Sequence, residues 1–150
     1  MKCSNKKLFI RYSCILIIFT SCSARDIFFE VNLTDKLSKF QKSNSLRMNL
    51  TELVGDDWRK VCFQGPYTIK DTFNKYSGEN IDSILSLSSD EIGFWVFYDN
   101  HPPKAAIVNR SIIDIVRTKK SSSCTTRDNP YIYAYYNQGV RELYFYDSNY

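Results

Sequence analysis

The sequence predicts a single domain of mostly antiparallel β structure, or a small α+β domain, with one short helix. The expected arrangement is β-sandwich-like or a single sheet packed by a helix. Two observations predict this class. Apolar runs with strand-like patterns recur between turn signals, and only one segment has clear helical spacing. In addition, 43% of the 150 residues are hydrophobic, which fits one ordinary domain rather than a disordered chain.

Residues 1–21 have the order of a secretory signal peptide. Four cations and no acidic residue occur there, and the apolar run 12–19 is followed by small residues. That run is much shorter than the ~20 residues of a membrane-spanning helix. Without this segment, the formal net charge of +4 falls to zero, with sixteen basic and sixteen acidic residues. The mature chain therefore has no basic field that would indicate a nucleic-acid partner.

The end of this segment, Phe19-Thr20-Ser21-Cys22, resembles the lipobox of bacterial lipoprotein precursors. In that family the chain is cut before the Cys, whose sulfur and amine are then acylated. The resemblance implies lipidation at Cys22. Because Ser23 rather than Asp follows, it also implies export to the outer membrane, facing the periplasm. The alternative is cleavage after Ala24, which would leave a soluble protein that begins at Arg25.

The cysteines are consistent with an oxidising compartment. The chain contains five: Cys3, Cys14, Cys22, Cys62 and Cys124. Removal of the leader and use of Cys22 as the lipid carrier leave Cys62 and Cys124, which we predict to form a disulfide. In the chain-entropy model, such a long closed loop contributes roughly 4 kcal/mol. Neither Cys has a second Cys or a His at ligand spacing, so a metal site is disfavoured.

Residues 22–44 are expected to be a lipid-anchored N-terminal segment, and residues 45–150 a single β-rich globular domain. Within the first segment, Ile27, Phe29, Val31 and Leu33 alternate with other residues, which predicts a first strand over residues 27–33. The alternative is that the whole of residues 23–44 is a tether from the membrane.

The first half of the domain has three predicted elements. Residues 46–50 alternate between apolar and polar side chains, and residues 58–63 form a compact apolar run, so both are expected to be strands. Apolar residues at helical spacing predict a short helix over residues 68–77. Gly78 is placed to end that helix.

The second half is expected to be entirely strands and turns. Residues 92–98 are apolar on both faces, which is typical of a central strand. Residues 105–108 and 112–116 are predicted to return as strands. Residues 131–136 and 140–146 then form a hairpin across Asn137-Gln138-Gly139.

This hairpin contains an unusual number of tyrosines. Seven of the eleven tyrosines lie in the last twenty residues. Strand alternation places Tyr131, Tyr133 and Tyr135 on the face opposite Ile132, Ala134 and Tyr136. On the next strand it places Tyr144 and Tyr146 opposite Leu143 and Phe145. If the register pairs the two strands, five rings form a candidate partner-binding surface: Tyr131, Tyr133, Tyr135, Tyr144 and Tyr146. The alternatives are a plain solvent face of good strand formers, and a one-residue slip that turns the rings inward.

The sequence contains no recognisable catalytic constellation. Its one His, His101, lies in the expected turn 99–103, which excludes sites built on several histidines. No nucleophile elbow and no glycine pattern for a phosphate or dinucleotide occur. We therefore predict no catalytic, cofactor or metal residues. A protein partner, rather than enzymatic activity, is the expected mode of action.

Residues 58–67, Trp-Arg-Lys-Val-Cys-Phe-Gln-Gly-Pro-Tyr, resemble a group of small periplasmic lipoproteins. The shared features are Trp58, Cys62 and the Gly-Pro-Tyr turn. Members of that group are thought to be immunity proteins of type VI secretion toxins. The resemblance implies a protein-binding module that neutralises a toxin in the periplasm, and it assigns no binding residues. The alternative is an envelope assembly or structural lipoprotein, such as a pilus or secretion-system accessory.

Overall fold

A computed structural model describes residues 29–112, 114–115, 121–137 and 140–146. The signal segment 1–21, the lipidation site Cys22 and the alternative start at Arg25 lie outside these residues. The described helices are α1 (residues 29–42), α2 (Leu50–Val54) and α3 (Lys70–Ser77). The strands are β1 (Arg47–Asn49), β2 (Trp58–Gln64), β3 (Glu91–Tyr98), β4 (Lys104–Asn109), β5 (Asp114–Ile115), β6 (Ser121–Ser122), β7 (Cys124–Thr126), β8 (Tyr131–Asn137) and β9 (Val140–Tyr146).

These strands form two sheets, which makes the fold a small α+β domain as the sequence predicted. The central sheet has the order β4-β3-β2-β7, and all its pairs are antiparallel. The tyrosine sheet has the order β1-β8-β9-β5, with β6 also paired to β9. Only β5 runs parallel to its neighbour among the described pairs. Within the described part of the chain, no helix is both long and apolar enough to cross a bilayer.

The main core lies between the two sheets. The central sheet contributes Val61 and Phe94, and the tyrosine sheet contributes Ile132 and Phe145, all nearly inaccessible to solvent. The rings of Phe63 and Phe145 stack across the two sheets, with centroids 4.1 Å apart. Full burial of a side chain of this size stabilises the fold by roughly 1.5–3 kcal/mol.

The first helix corrects the prediction for the N-terminal segment. Residues 29–42 are helical, so the predicted strand over residues 27–33 and the tether over residues 23–44 are both wrong where the structure describes them. The apolar stripe of this helix is Leu33, Leu37 and Phe40, which are buried in the main core, while Val31 is 63% exposed. The brief alternation around Val31 was outweighed by spacings of three and four residues further along.

Helix α1 contacts the edge of the central sheet and helix α2. The Glu30 carboxylate accepts from the backbone N–H of Ile107 on the edge strand β4, at 3.5 Å. Further along α1, Lys36 Nζ donates to the backbone oxygens of Glu52 (2.8 Å) and Leu53 (3.3 Å), which belong to α2. The folded part of the chain therefore includes α1.

The alternating pattern of residues 46–50 gives both a strand and a helix. Only Arg47–Asn49 are extended, and Leu50 begins α2. The Asn49 side chain explains the change, because its oxygen accepts from the backbone N–H of Thr51 at 2.9 Å and caps the helix. Leu50 is still fully buried, as first residue of a helix rather than last of a strand. With α1 and α2, the prediction of one short helix was too low.

The strand β3 lies in the interior of the central sheet, as predicted from its apolar character on both faces. Phe94 and Val96 face the main core. Trp95 and Phe97 face a second cluster on the opposite side, together with Phe73 of α3. Thus the central sheet separates two apolar layers, and α3 covers the outer one.

Helix α3 agrees closely with its prediction. It covers Lys70–Ser77, and its C-cap Gly78 is left-handed, with φ 67°. A glycine adopts that conformation without the steric cost of a Cβ, which explains the end of the helix at this point. The Gly78 N–H donates to the Asn74 oxygen at 2.9 Å.

The predicted cysteine pair is brought together between strands β2 and β7. Cys62 and Cys124 are directly opposite each other in the register, and their sulfurs are 2.10 Å apart, a disulfide distance. The preceding strand β6 pairs with β9 of the tyrosine sheet. The segment from β6 to β7 therefore joins the two sheets at one corner, and the cysteine pair fixes this segment to the central sheet.

Candidate functional site

The candidate site is the outer face of the β8–β9 hairpin, formed by Tyr131, Tyr133, Tyr135, Tyr144 and Tyr146. We call it the tyrosine face. The register pairs Tyr133 with Tyr144 and Tyr135 with Glu142. Because side chains alternate along each strand, this register places all five rings on one side. The alternate residues Ile132, Ala134, Leu143 and Phe145 are buried in the main core.

Tyr133 lies at the centre of the tyrosine face. Its ring centroid is 6.1 Å from that of Tyr131, 5.6 Å from that of Tyr144 and 6.1 Å from that of Tyr146. Its hydroxyl donates to the Asn129 side chain at 3.2 Å. Asn129 in turn donates to the Tyr146 backbone oxygen at 3.1 Å. These contacts hold the central ring in place.

The five rings differ in exposure. Tyr135 is 48% exposed and Tyr146 36% exposed, while Tyr131, Tyr133 and Tyr144 are half-buried among their neighbours. Burial raises the pKa of the Tyr144 hydroxyl, and the neighbouring Tyr133 and Tyr146 reinforce the shift. The Tyr144 hydroxyl therefore stays protonated at ordinary pH and can donate as well as accept a hydrogen bond.

Two charged residues complete this surface. Arg47 of β1 lies opposite Tyr133 in the register, and its guanidinium carbon is 4.8 Å from the centroid of the Tyr131 ring. Glu142 faces the same side as Tyr144, as strand alternation predicted. Sequence reasoning missed Arg47, because its strand is only three residues long and pairs with β8 far along the chain. No local pattern indicates that pairing.

His101 belongs to the turn between β3 and β4, and it lines a pocket separate from the tyrosine face. The pocket has a volume of about 440 Å³ and is lined in part by Asp57, Tyr98 and Lys104. His101 Nε2 is 3.5 Å from an Asp57 oxygen, and both side chains are more than 60% exposed. Burial, reinforced by Asp57, raises the pKa of Tyr98 to about 12. This pairing of Asp57 with His101 was not predicted, because the two residues are distant in sequence.

The arrangement in this pocket provides an exposed His–carboxylate contact beside a buried phenol. No serine, threonine or cysteine is among the described residues that line it. Likewise, no group of three or more metal-ligating side chains occurs in the described part of the chain. The expectation that the chain is not an enzyme stays a prediction.

The tyrosine face is thus the most developed surface feature of the described residues. It has aromatic area, polar tips and a fixed central ring on a sheet that is anchored by its inner side. Searches against protein-family models, curated proteins and solved structures find no match to this chain.

Proposed function

We propose that this chain is an exported bacterial lipoprotein, anchored to the outer membrane and facing the periplasm, that acts as a protein-binding module. Its proposed role is that of an immunity or inhibitor protein that neutralises a toxin in the periplasm by occluding it. The observation that carries the proposal is the tyrosine face, which presents five aromatic rings on the outer side of a sheet.

Exposure of such an aromatic surface to water has a cost in free energy. The inner side of the hairpin already supplies Leu143 and Phe145 to the core, so the fold does not require aromatic residues outside as well. Clustered exposed aromatic rings usually mark interaction sites. Tyrosine also gives a large contact area with little loss of side-chain entropy, and it is enriched among the residues that dominate binding energy.

Two observations support the envelope location, one from the sequence and one from the structure. The leader and its lipobox-like end imply export and lipidation at Cys22. The distance between the Cys62 and Cys124 sulfurs fits a disulfide, which persists in oxidising compartments such as the bacterial periplasm. The similarity of residues 58–67 to small periplasmic immunity lipoproteins supports the choice of a toxin as the partner.

The test uses the product of the gene directly adjacent to this one, expressed in the periplasm of a sensitive strain. We expect the wild-type chain to restore growth and to bind that product directly. Tyr135→Ala and Tyr146→Ala should keep the fold and weaken binding by about tenfold or more. Tyr67→Ala is the matched control, because Tyr67 is 86% exposed but lies outside the tyrosine face.

Equal affinity across wild type and both face variants would place the binding site elsewhere. An adjacent product that is harmless, within a pilus or secretion operon, would favour the envelope assembly alternative over immunity. The two measurements are independent, because binding is assayed with purified proteins and protection is assayed by growth.

A further inference from the structure

A groove borders the tyrosine face on the side of β1. It lies between α1 and the β1–α2 segment, and its volume is about 640 Å³. Its lining includes Lys36, Lys39, Phe40, Arg47, Glu52 and Tyr131. Three of these six side chains are cations and one is an acid. The volume is sufficient for two or three side chains of a binding partner.

The positive charges in the groove are neutralised only in part. Lys39 is paired with Asp35 on α1, at 2.7 Å. Lys36 Nζ instead donates to two backbone carbonyl oxygens, which satisfy its hydrogen bonds but carry no net charge. The Arg47 side chain forms no ion pair with any described residue, and its guanidinium lies over the face of the Tyr131 ring. Among the residues that the structure describes, Lys36 and Arg47 therefore lack a carboxylate partner.

The groove and the tyrosine face are continuous. Tyr131 lines the groove and also contacts Tyr133 at the centre of the face. Arg47 is exposed and lies over the same Tyr131 ring, so its guanidinium stands at the boundary between the two surfaces. A partner that covers the tyrosine face would necessarily bring its own edge up to Arg47.

We propose that the groove receives an acidic segment of the protein partner, with a carboxylate held between Arg47 and Lys36. The inference rests on the proposed protein-binding function and adds the chemistry of the partner. The partner's surface packs against tyrosine rings at its centre and is acidic at the edge that meets β1. Arg47 can bind a carboxylate with two parallel hydrogen bonds, which gives direction as well as charge. A partner without acidic residues there would leave two cations desolvated and unpaired, at a cost in affinity.

The test measures binding of a short fluorescein-labelled peptide of alternating Glu and Gly to the full exported chain in nonionic detergent. Its twin carries Gln in place of each Glu. We expect the acidic peptide to bind at least about tenfold more tightly than the twin, with affinity that falls as salt is raised. Arg47→Glu should abolish the preference, and Arg47→Lys should reduce it, because Lys keeps the charge but cannot form the two parallel hydrogen bonds. Lys70→Glu is the control, because Lys70 is exposed on α3 beyond the central sheet.

The remaining outcomes overturn the inference. One such outcome is equal binding of the two peptides. The other is unchanged binding of the acidic peptide by Arg47→Glu, in a variant whose melting temperature matches that of the wild type. Arg47-dependent binding of phosphatidylglycerol vesicles, without binding of the acidic peptide, would assign the groove to lipid instead. Binding of the protein partner by the tyrosine variants is measured in a separate experiment. The inference about the groove can therefore fail while the proposed protein-binding function still holds.

Discussion

Gly93 lies in the interior strand β3, where no space is left for a side chain. A Cβ at this position would be 3.0 Å from both Gln64 Cβ and Leu85 Cδ1. The Gln64 side chain cannot move freely, because hydrogen bonds hold its amide group. The Gln64 amide oxygen accepts from the indole N–H of Trp95 at 2.9 Å and from the backbone N–H of Leu85 at 3.2 Å. The amide nitrogen donates to the Leu85 oxygen at 2.7 Å.

We therefore expect Gly93→Ala to destabilise the fold by about 1–3 kcal/mol, because the added methyl group overpacks a site held by buried hydrogen bonds. Urea unfolding followed by tryptophan fluorescence measures the change. Gly65→Ala is the control, since a Cβ there meets its nearest atom at 3.6 Å, an ordinary contact. Equal stability of wild type and Gly93→Ala would show that the Gln64 network yields easily.

At the level of elements, Glu79 connects the end of α3 to the central sheet. Its carboxylate accepts two hydrogen bonds from Arg59, at 2.7 and 2.6 Å, and one from Lys60, at 3.0 Å. Lys60 also donates to the Ser77 backbone oxygen at the C-terminus of α3, at 2.7 Å. Burial alone would raise the pKa of Glu79, but the hydrogen bonds from Arg59 and Lys60 outweigh it and lower the pKa.

The lowered pKa makes this connection sensitive to acid. Its contribution to stability is fully present above the ordinary value of 4.5 and is lost as the pH falls through the folded-state pKa. Glu79→Gln should lower stability at neutral pH by about 1–3 kcal/mol and should make the loss of stability in acid shallower. Chemical denaturation at neutral and acidic pH measures both effects. Asp82→Asn is the control, because Asp82 is exposed and lies in the loop that contains Glu79. If Glu79→Gln and the wild type lost the same amount of stability between neutral and acidic pH, the role given to Glu79 would be contradicted.

The cysteine pair connects two other elements, β2 and β7, which are 62 residues apart in the chain. If the bond forms, removal of this constraint raises the entropy of the unfolded state. We expect the double variant Cys62→Ala/Cys124→Ala to be less stable by roughly 2–4 kcal/mol. Reductant should destabilise the wild type and leave the double variant unchanged. Free thiols at both positions in periplasmic material would contradict the prediction.

The elements that sequence reasoning predicted correctly are those with a strong local signal. Strand β3 is apolar on both faces, and α3 has both helical spacing and Gly78 as its terminator. The hairpin has alternation on both strands and a turn between them. In each case the local pattern and the tertiary environment favour the same structure. The tyrosines of the candidate site follow directly from this hairpin.

The errors lie where a short local pattern conflicted with a longer one. Over residues 27–33, four apolar residues at alternating positions suggested a strand, but Leu33, Leu37 and Phe40 of α1 have helical spacing and enter the core. In β1, the cap formed by Asn49 converted the end of a predicted strand into α2. Arg47 and the groove depend on the pairing of β1 with β8, a contact between distant parts of the chain that no local pattern specifies.

For the molecule as a whole, the layers give the two outer sides of the domain different characters. One outer side is α3 and the loop that follows it, packed on the central sheet by way of Phe73 and Trp95. The other is the tyrosine face with its adjoining groove. A domain held to a membrane by its N-terminus can present one such side to a partner only if the anchor leaves that side accessible. An experiment on the anchor is therefore the decisive test for the molecule as a whole.

We expect Cys22 to be the first residue of the mature protein and to carry the lipid, because Phe19-Thr20-Ser21-Cys22 resembles a lipobox and follows the apolar run 12–19. Each acyl CH₂ buried in the bilayer contributes about 0.8 kcal/mol, so two or three chains form a stable anchor. Mass spectrometry of the mature N-terminus should find an acylated Cys. Cys22→Ala should move the protein out of the membrane fraction without a change in the stability of the folded domain.

Cys14→Ala is the matched control, because Cys14 lies within the apolar part of the predicted signal segment and would be removed with it. This variant should still be lipidated and membrane-bound. An unmodified N-terminus at Arg25 would establish cleavage after Ala24 and a protein without an anchor. In that case the tyrosine face could still bind a partner, since its geometry depends on the folded domain and not on the anchor. The partner would then be met in solution rather than at the membrane surface, and a soluble inhibitor would replace the anchored one.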